Sequence, residues 1–192
     1  MTAFSESYRR AVRFDLDVGR IEVGDKRPHV LVPVEALASL VSGAVEIRAF
    51  AHGLGAAAAV RAAGKLDPSR SMPPREALRA ADPQLLVDRL GGEFALFGFG
   101  NLRTERWGQA LLFVFDPCIF DERGDELLLG LIEGAVSMAT DAPVQALIVD
   151  RSPDVARILV GNEHAIEAVR PLAESGEIFT EVIRALHGER LV

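Results

Sequence analysis

The chain has 192 residues, enough to bury a sizeable core, and its 49% hydrophobic and 26% charged residues are the balance of a soluble globular protein. A formal net charge of −7 argues against a general nucleic-acid binder, which needs a basic surface to neutralise phosphates, and no Lys/Arg cluster exceeds a pair. The single cysteine, Cys118, excludes an intrachain disulfide and points to the cytoplasm; MTAFSESYRR has no apolar signal core, and Glu93, Gly98 and Glu133 break the apolar runs short of the ~18 residues a membrane-spanning helix needs, so no membrane insertion is expected.

In chain order, residues 1–10 read as a loose end. Val12, Phe14, Leu16 and Val18 alternate with Arg13, Asp15 and Asp17, the period of a half-buried strand. Gly19-Arg20 turns it, and Ile21 and Val23 continue the alternation as a hairpin. Residues 30–32 are a short extended piece. Pro33 then opens a helix carrying Leu37, Leu40, Val41 and Ala44, and Gly43 separates it from a second. In the second helix Ile47, Phe50, Leu54, Ala57 and Ala58 are expected on the inner face, with Glu46, Arg48 and Arg61 off it. The stretch Gly53 to Ala59 has almost no side-chain bulk, which suits a central helix approached closely by its neighbours, and Gly64 is the expected C-terminal cap.

Residues 65–75, rich in Pro, Ser and charge, read as an exposed loop. A short helix follows from Pro74 to Ala81. Asp82 caps another, with Leu85, Leu86, Leu90 and Phe94 inward and Gly91-Gly92 weakening its second half. Gly98-Phe99-Gly100 supplies a backbone corner that only glycines adopt freely. Two antiparallel strands, about 101–106 and 109–116, turn at Trp107-Gly108. A polar connection from Asp116 to Asp125 leads into a helix from Glu126 to Thr140. Residues 144–149 and 155–160 form a second strand pair joined by 150–154, and the tail, 163–190, is mostly helical. This order predicts an α+β fold, one domain over 1–192, with an antiparallel sheet covered by helices.

The order of helix, glycine corner, two strands, glycine-bearing helix and final strand pair is similar to the 4-vinyl reductase domain. That domain is grouped with the small subunits of TRAPP vesicle-tethering complexes in the fold named for NO signalling and Golgi transport. The residues that carry the resemblance are Leu90-Gly91 through Gly100-Asn101-Leu102, Phe115-Asp116-Pro117-Cys118, LLLGLIEGAVSMA (127–139), QALIVDRSPDVARILVG (145–161) and, upstream, Ala51-His52-Gly53-Leu54-Gly55. It spans about residues 20–162 and leaves the helical tail, 163–192, outside. It implies a TRAPP-like α+β domain, often a homodimer, with an apolar pocket between helices and sheet; the bacterial reading comes from composition, with only Lys26 and Lys65 among the bases being lysine and Ala, Gly and Val abundant. Some relatives are tied to vinyl reduction of pigment precursors, which makes a tetrapyrrole enzyme one alternative; a purely structural protein–protein interaction module is another. Many members carry cysteines in the last strand pair; Asp150 to Val160 has none, so metal or redox chemistry there is not implied.

No catalytic constellation assembles from the sequence. Gly53-Leu54-Gly55 lies inside a helical pattern, whereas a dinucleotide turn follows a strand and opens a helix. There is no GxSxG elbow, and His29, His52, His164 and His187 lack zinc-site spacing. The acids Asp116, Asp121, Glu122, Asp125 and Glu126 read as a solvated loop, and Cys118 as a small buried thiol. The expectation is a non-catalytic regulatory or assembly domain with no metal or fixed cofactor and no nucleic-acid partner. Its hydrophobic pocket would be walled by Phe50, His52, Leu54, Phe94, Phe97, Phe113 and Phe115 and take a small hydrophobic molecule. Gly130, Glu133 and Gly134 are expected at a dimer or partner surface, because the two glycines permit close helix contact.

Overall fold

The structure, a computed structural model, describes residues 12–15, 20–23, 27–29, 44–108, 110–140 and 142–186. The extended piece at 30–32, the helix opening at Pro33 and the end of the tail lie outside them. The described chain runs β1 (Val12–Asp15), β2 (Arg20–Val23), β3 (Arg27–His29), α1 (Ala44–Leu66), α2 (Pro74–Ala80), α3 (Pro83–Leu96), β4 (Leu102–Trp107), β5 (Ala110–Phe115), a 3-10 turn (Glu122–Gly124), α4 (Asp125–Thr140), β6 (Gln145–Ser152), β7 (Val155–Gly161), α5 (Glu163–Glu174) and α6 (Phe179–Leu186). The expected α+β class is observed, with two antiparallel sheets in the strand orders β1-β2-β3 and β4-β5-β7-β6.

The four-stranded sheet lies between two helical layers. Strand alternation sends Phe113 and Phe115 to one face, where they join α1, α3 and α4, and Ala110, Leu112 and Val114 to the other, where they meet Ile166 and Val169 of α5 and Val182 and Ile183 of α6. A bulge between Ile148 and Asp150 lets Asp150 pair with Arg157. Helix starts follow local chemistry: Asp82 accepts from the Leu85 amide at 3.1 Å, and Asn162 accepts from the Ala165 amide at 2.8 Å. The predicted corner is real, with Gly98 at φ 77° and Gly100 at φ 97°.

The tightest packing is α1 against α4. A Cβ on Gly134 would come within 1.9 Å of the His52 carbonyl oxygen, one on Gly130 within 2.4 Å of that of Arg48, and one on Gly55 within 2.0 Å of that of Leu131. The two backbones therefore touch, and only glycine fits at these points. Gly130 and Gly134 are thus consumed inside the chain; the close contact expected of them is made with α1 rather than at a dimer surface. Glu133, also buried, accepts from Arg48 Nε at 2.9 Å and Nη2 at 2.6 Å. The same pair reaches edge strand β6: Ala146 N–H donates to Glu133 at 2.8 Å, and Arg48 donates to the Ala146 carbonyl at 2.9 Å. An edge that would otherwise offer unpaired backbone groups is closed at that residue.

Four expectations about helices are corrected. The buried face of α1 is Ile47, Ala51, Ala58, Ala59, Ala62 and Ala63, while Phe50 is 53% exposed and Ala57 is also exposed. The small residues face inward because α4 approaches too closely for phenylalanine. Gly64 does not cap α1, which continues to Leu66. Leu85 is 41% exposed rather than inward, and Gly91-Gly92 does not weaken α3; both are buried, and Gly91 lies under Leu102 of β4. The second strand pair is longer than expected, with residues 150–152 inside β6.

Gly134→Ala or Gly55→Ala is expected to destabilise the fold by about 1–3 kcal/mol through overpacking. Gly53→Ala, on the open side of the same helix with nothing within 4 Å of an added Cβ, is expected to raise stability by up to about 1 kcal/mol. Urea denaturation of the three variants measures both effects.

Candidate functional site

The glycine corner carries an aromatic cluster. Phe94, on the last turns of α3, stacks on Phe115 of β5 with ring centroids 6.0 Å apart and meets Phe99 of the corner edge-on at 6.5 Å; Phe99 lies 5.9 Å from Phe120. Phe94 and Phe115 are fully buried and Phe113 nearly so. The cluster is held from behind, since a Cβ on Gly100 would meet the Pro117 carbonyl oxygen at 2.4 Å. Cys118 is a buried free thiol, its Sγ 3.5 Å from the Phe120 carbonyl oxygen.

Of the charged residues of α3, Glu93 is the buried one. Glu93, 1% exposed, binds Arg61 Nε at 2.7 Å and Lys65 Nζ at 2.5 Å. Arg61 also lies over the Phe97 ring, 4.4 Å from its centroid. A buried carboxylate needs such partners to offset its lost hydration. The signal was present in sequence: an acid inside the apolar run Leu85–Phe97, and two bases four residues apart on the helix opposite.

The structure therefore divides the expected pocket wall. Phe94, Phe113 and Phe115 share one buried cluster, and Leu54 packs against it half-buried. Phe97 is half-buried beneath Arg61, while Phe50 and His52 lie on the exposed side of α1. Four of the acids of the polar connection turn to an arginine: Asp116 to Arg103 at 3.2 Å, Asp121 to Arg123 at 2.6 Å, Asp125 to Arg151 at 3.0 Å and Glu126 to Arg48 at 3.2 Å. Burial pushes the Asp125 carboxyl up to about 6 although Arg151 opposes the shift.

A cleft that the sequence did not announce opens on the far side of the sheet. It measures about 420 Å³ and is lined by Ala110 and Leu111 of β5, Leu159, Val160 and Gly161 of β7, Ala165 of α5 and Leu186 of α6. The volume falls in the ~300–1,000 Å³ range of small-molecule sites. On the same sheet face a charged row crosses the strands. Glu105 binds Arg157 at 3.0 Å and Arg103 at 2.5 Å, and Arg157 binds Asp150 at 2.5 Å. Trp107 closes the row by packing edge-on against Phe179 of α6, 5.0 Å between centroids.

No family model matches the chain, and no curated protein matches it. A solved structure does: the crystal structure of the phenol-responsive sensory domain of the transcription activator PoxR with phenol. The likeness is one of fold. Sequence identity is 14% and the TM-score 0.57, with 92% of this chain and 96% of that chain covered. The likeness bears on the α+β architecture and not on the 4-vinyl reductase family, which no family model supports. Among the described residues no helix is long and apolar enough to cross a membrane.

The hydrogen bond from Arg157, with further bonds from Arg103 and Trp107, lowers the Glu105 carboxyl from 4.5 to about 2. Its folded pKa lies below its unfolded one, so its contribution to stability is full above about 4.5 and disappears as the pH falls toward 2. Glu105→Gln is expected to lower stability at neutral pH and to flatten the acid limb between those values. Thermal unfolding against pH measures the difference; parallel acid limbs for the two proteins would contradict it.

Proposed function

We propose that this chain is a non-catalytic regulatory domain of the 4-vinyl reductase and TRAPP-like kind, which forms a homodimer and binds a small hydrophobic molecule. The observation that carries the reading is its architectural likeness, over nearly the whole of both chains, to a domain whose solved structure is described as phenol-responsive and contains phenol. The chemistry of the chain supports it. The conspicuous side chains of the interior are aromatic and aliphatic, and the charged groups around them are engaged in ion pairs. The close filling around Phe94 and Phe115 favours a second reading, an interaction module with no internal ligand.

Thermal unfolding with a panel of uncharged one-ring aromatics, phenol first, separates the two. A ligand present at 100 times its Kd contributes about 2.7 kcal/mol, which for a chain of this size raises Tm by roughly 2–4 °C per kcal/mol. The proposal expects a saturable rise of several degrees for at least one member of the panel. A flat response across the panel selects the interaction module. Light scattering on the same samples is expected to give twice the chain mass of 20.7 kDa; a monomer at all concentrations would remove the homodimer from the proposal.

A further inference from the structure

Strands β5 and β7 pair at one end of the sheet and part at the other. Their registered pairs run from Phe115↔Ala156 to Leu112↔Leu159 and stop there. Both strands continue: β5 pairs with β4 as far as Trp107↔Ala110, and β7 pairs with β6 as far as Gln145↔Gly161. The next pair, Leu111 with Val160, is not made. Two neighbouring strands in the middle of a sheet thus separate while each stays bonded to its outer partner, and the 420 Å³ cleft lies at that parting.

The alternation of antiparallel bonding fixes which backbone groups face it. The Asp116 amide donates to the Asn101 carbonyl on the β4 side, so every second residue back along β5 also faces β4, and Leu111 faces β7. Beyond β7, Ala146 of β6 engages Glu133 through its N–H and Arg48 through its C=O at the outer edge. Its partner Val160 therefore turns its own backbone groups toward β5. The cleft so combines apolar side chains with main-chain donors and acceptors from two strands. Among the described residues that line the cleft none is ionisable, and a charged ligand would lose hydration against them without a counter-charge.

We infer that the ligand site of this chain is this cleft between the parted ends of β5 and β7, rather than the aromatic cluster at the glycine corner. The site takes an uncharged, one-ring-sized apolar molecule with a single hydrogen-bonding group. The inference rests on the ligand-binding reading above and names its location. Leu111, 44% exposed, opens the cleft to solvent and gives a ligand its way in. In the aromatic cluster, by contrast, Phe94 and Phe115 are fully buried against each other.

Methyl NMR of the full chain titrated with phenol tests it. Saturable shifts at the methyls of Leu111, Leu159, Val160 and Leu186 are expected. Ala165→Phe, which fills the cleft from the first turn of α5, is expected to weaken phenol binding about tenfold or more. Leu111→Glu sits at an exposed position that folding tolerates, and it is expected to do the same by placing a charge at the mouth. Shifts confined to methyls around Phe94 and Phe115, such as Leu90, Leu102 and Leu127, with both variants binding normally, would overturn the location and leave the ligand-binding reading intact. No saturable shift anywhere in the chain would overturn both.

Discussion

Backbone contact between α1 and α4 is the constraint from which the rest of the structure follows. Helices packed through ordinary side chains sit 8–10 Å apart. Here Gly55, Gly130 and Gly134 remove the Cβ atoms that would hold the axes at that distance, and each lies against a carbonyl oxygen of the facing helix. The approach brings Arg48 within bonding range of Glu133, and the pair then reaches Ala146 on the edge of the sheet. One close helix crossing thus ties down the edge strand β6, on which β7 pairs.

Much of the architecture was legible before any coordinates. Alternation marked β1 and β2, the two strands expected at about 101–106 and 109–116 fell within a residue of β4 and β5, Asp82 and Pro83 marked the start of α3, and the Gly98–Gly100 corner fell where two strands had to begin. The glycines of α4 were expected at a dimer or partner surface, and they lie instead against α1 of the same chain. What was not legible was the partner. Helix α1 is apolar on nearly every side, so hydrophobic periodicity could not select a face. The choice was made by steric fit to α4, which takes Ala51 and Ala58 inward and leaves Phe50 outside. A composition signal says that something approaches closely; it does not say what.

The site was less legible for a related reason. Aromatic residues drew attention as pocket walls, yet large flat side chains fill a core as readily as they line a cavity, and Phe94 and Phe115 do the former. The cleft between β5 and β7 is lined by Ala110, Leu159, Ala165 and similar residues that carry no chemical signature. It exists because two strands stop pairing before they end, a property of register that composition does not encode. The buried Glu93 was accessible in principle, since an acid between two glycines and a phenylalanine in an apolar run implies a partner. Finding Arg61 and Lys65 required knowing that α1 and α3 are neighbours.

A glycine-packed scaffold carries an apolar cleft, in a fold similar to that of a phenol-responsive sensory domain, and the cleft is proposed to take a small neutral ligand. A crystal structure of the chain grown with phenol tests that description most directly. The account predicts density for one ring between Leu111 and Val160, with Gly134 still seated against the His52 carbonyl. A fully occupied structure with β5 and β7 paired to their ends and no ring beside them would contradict it.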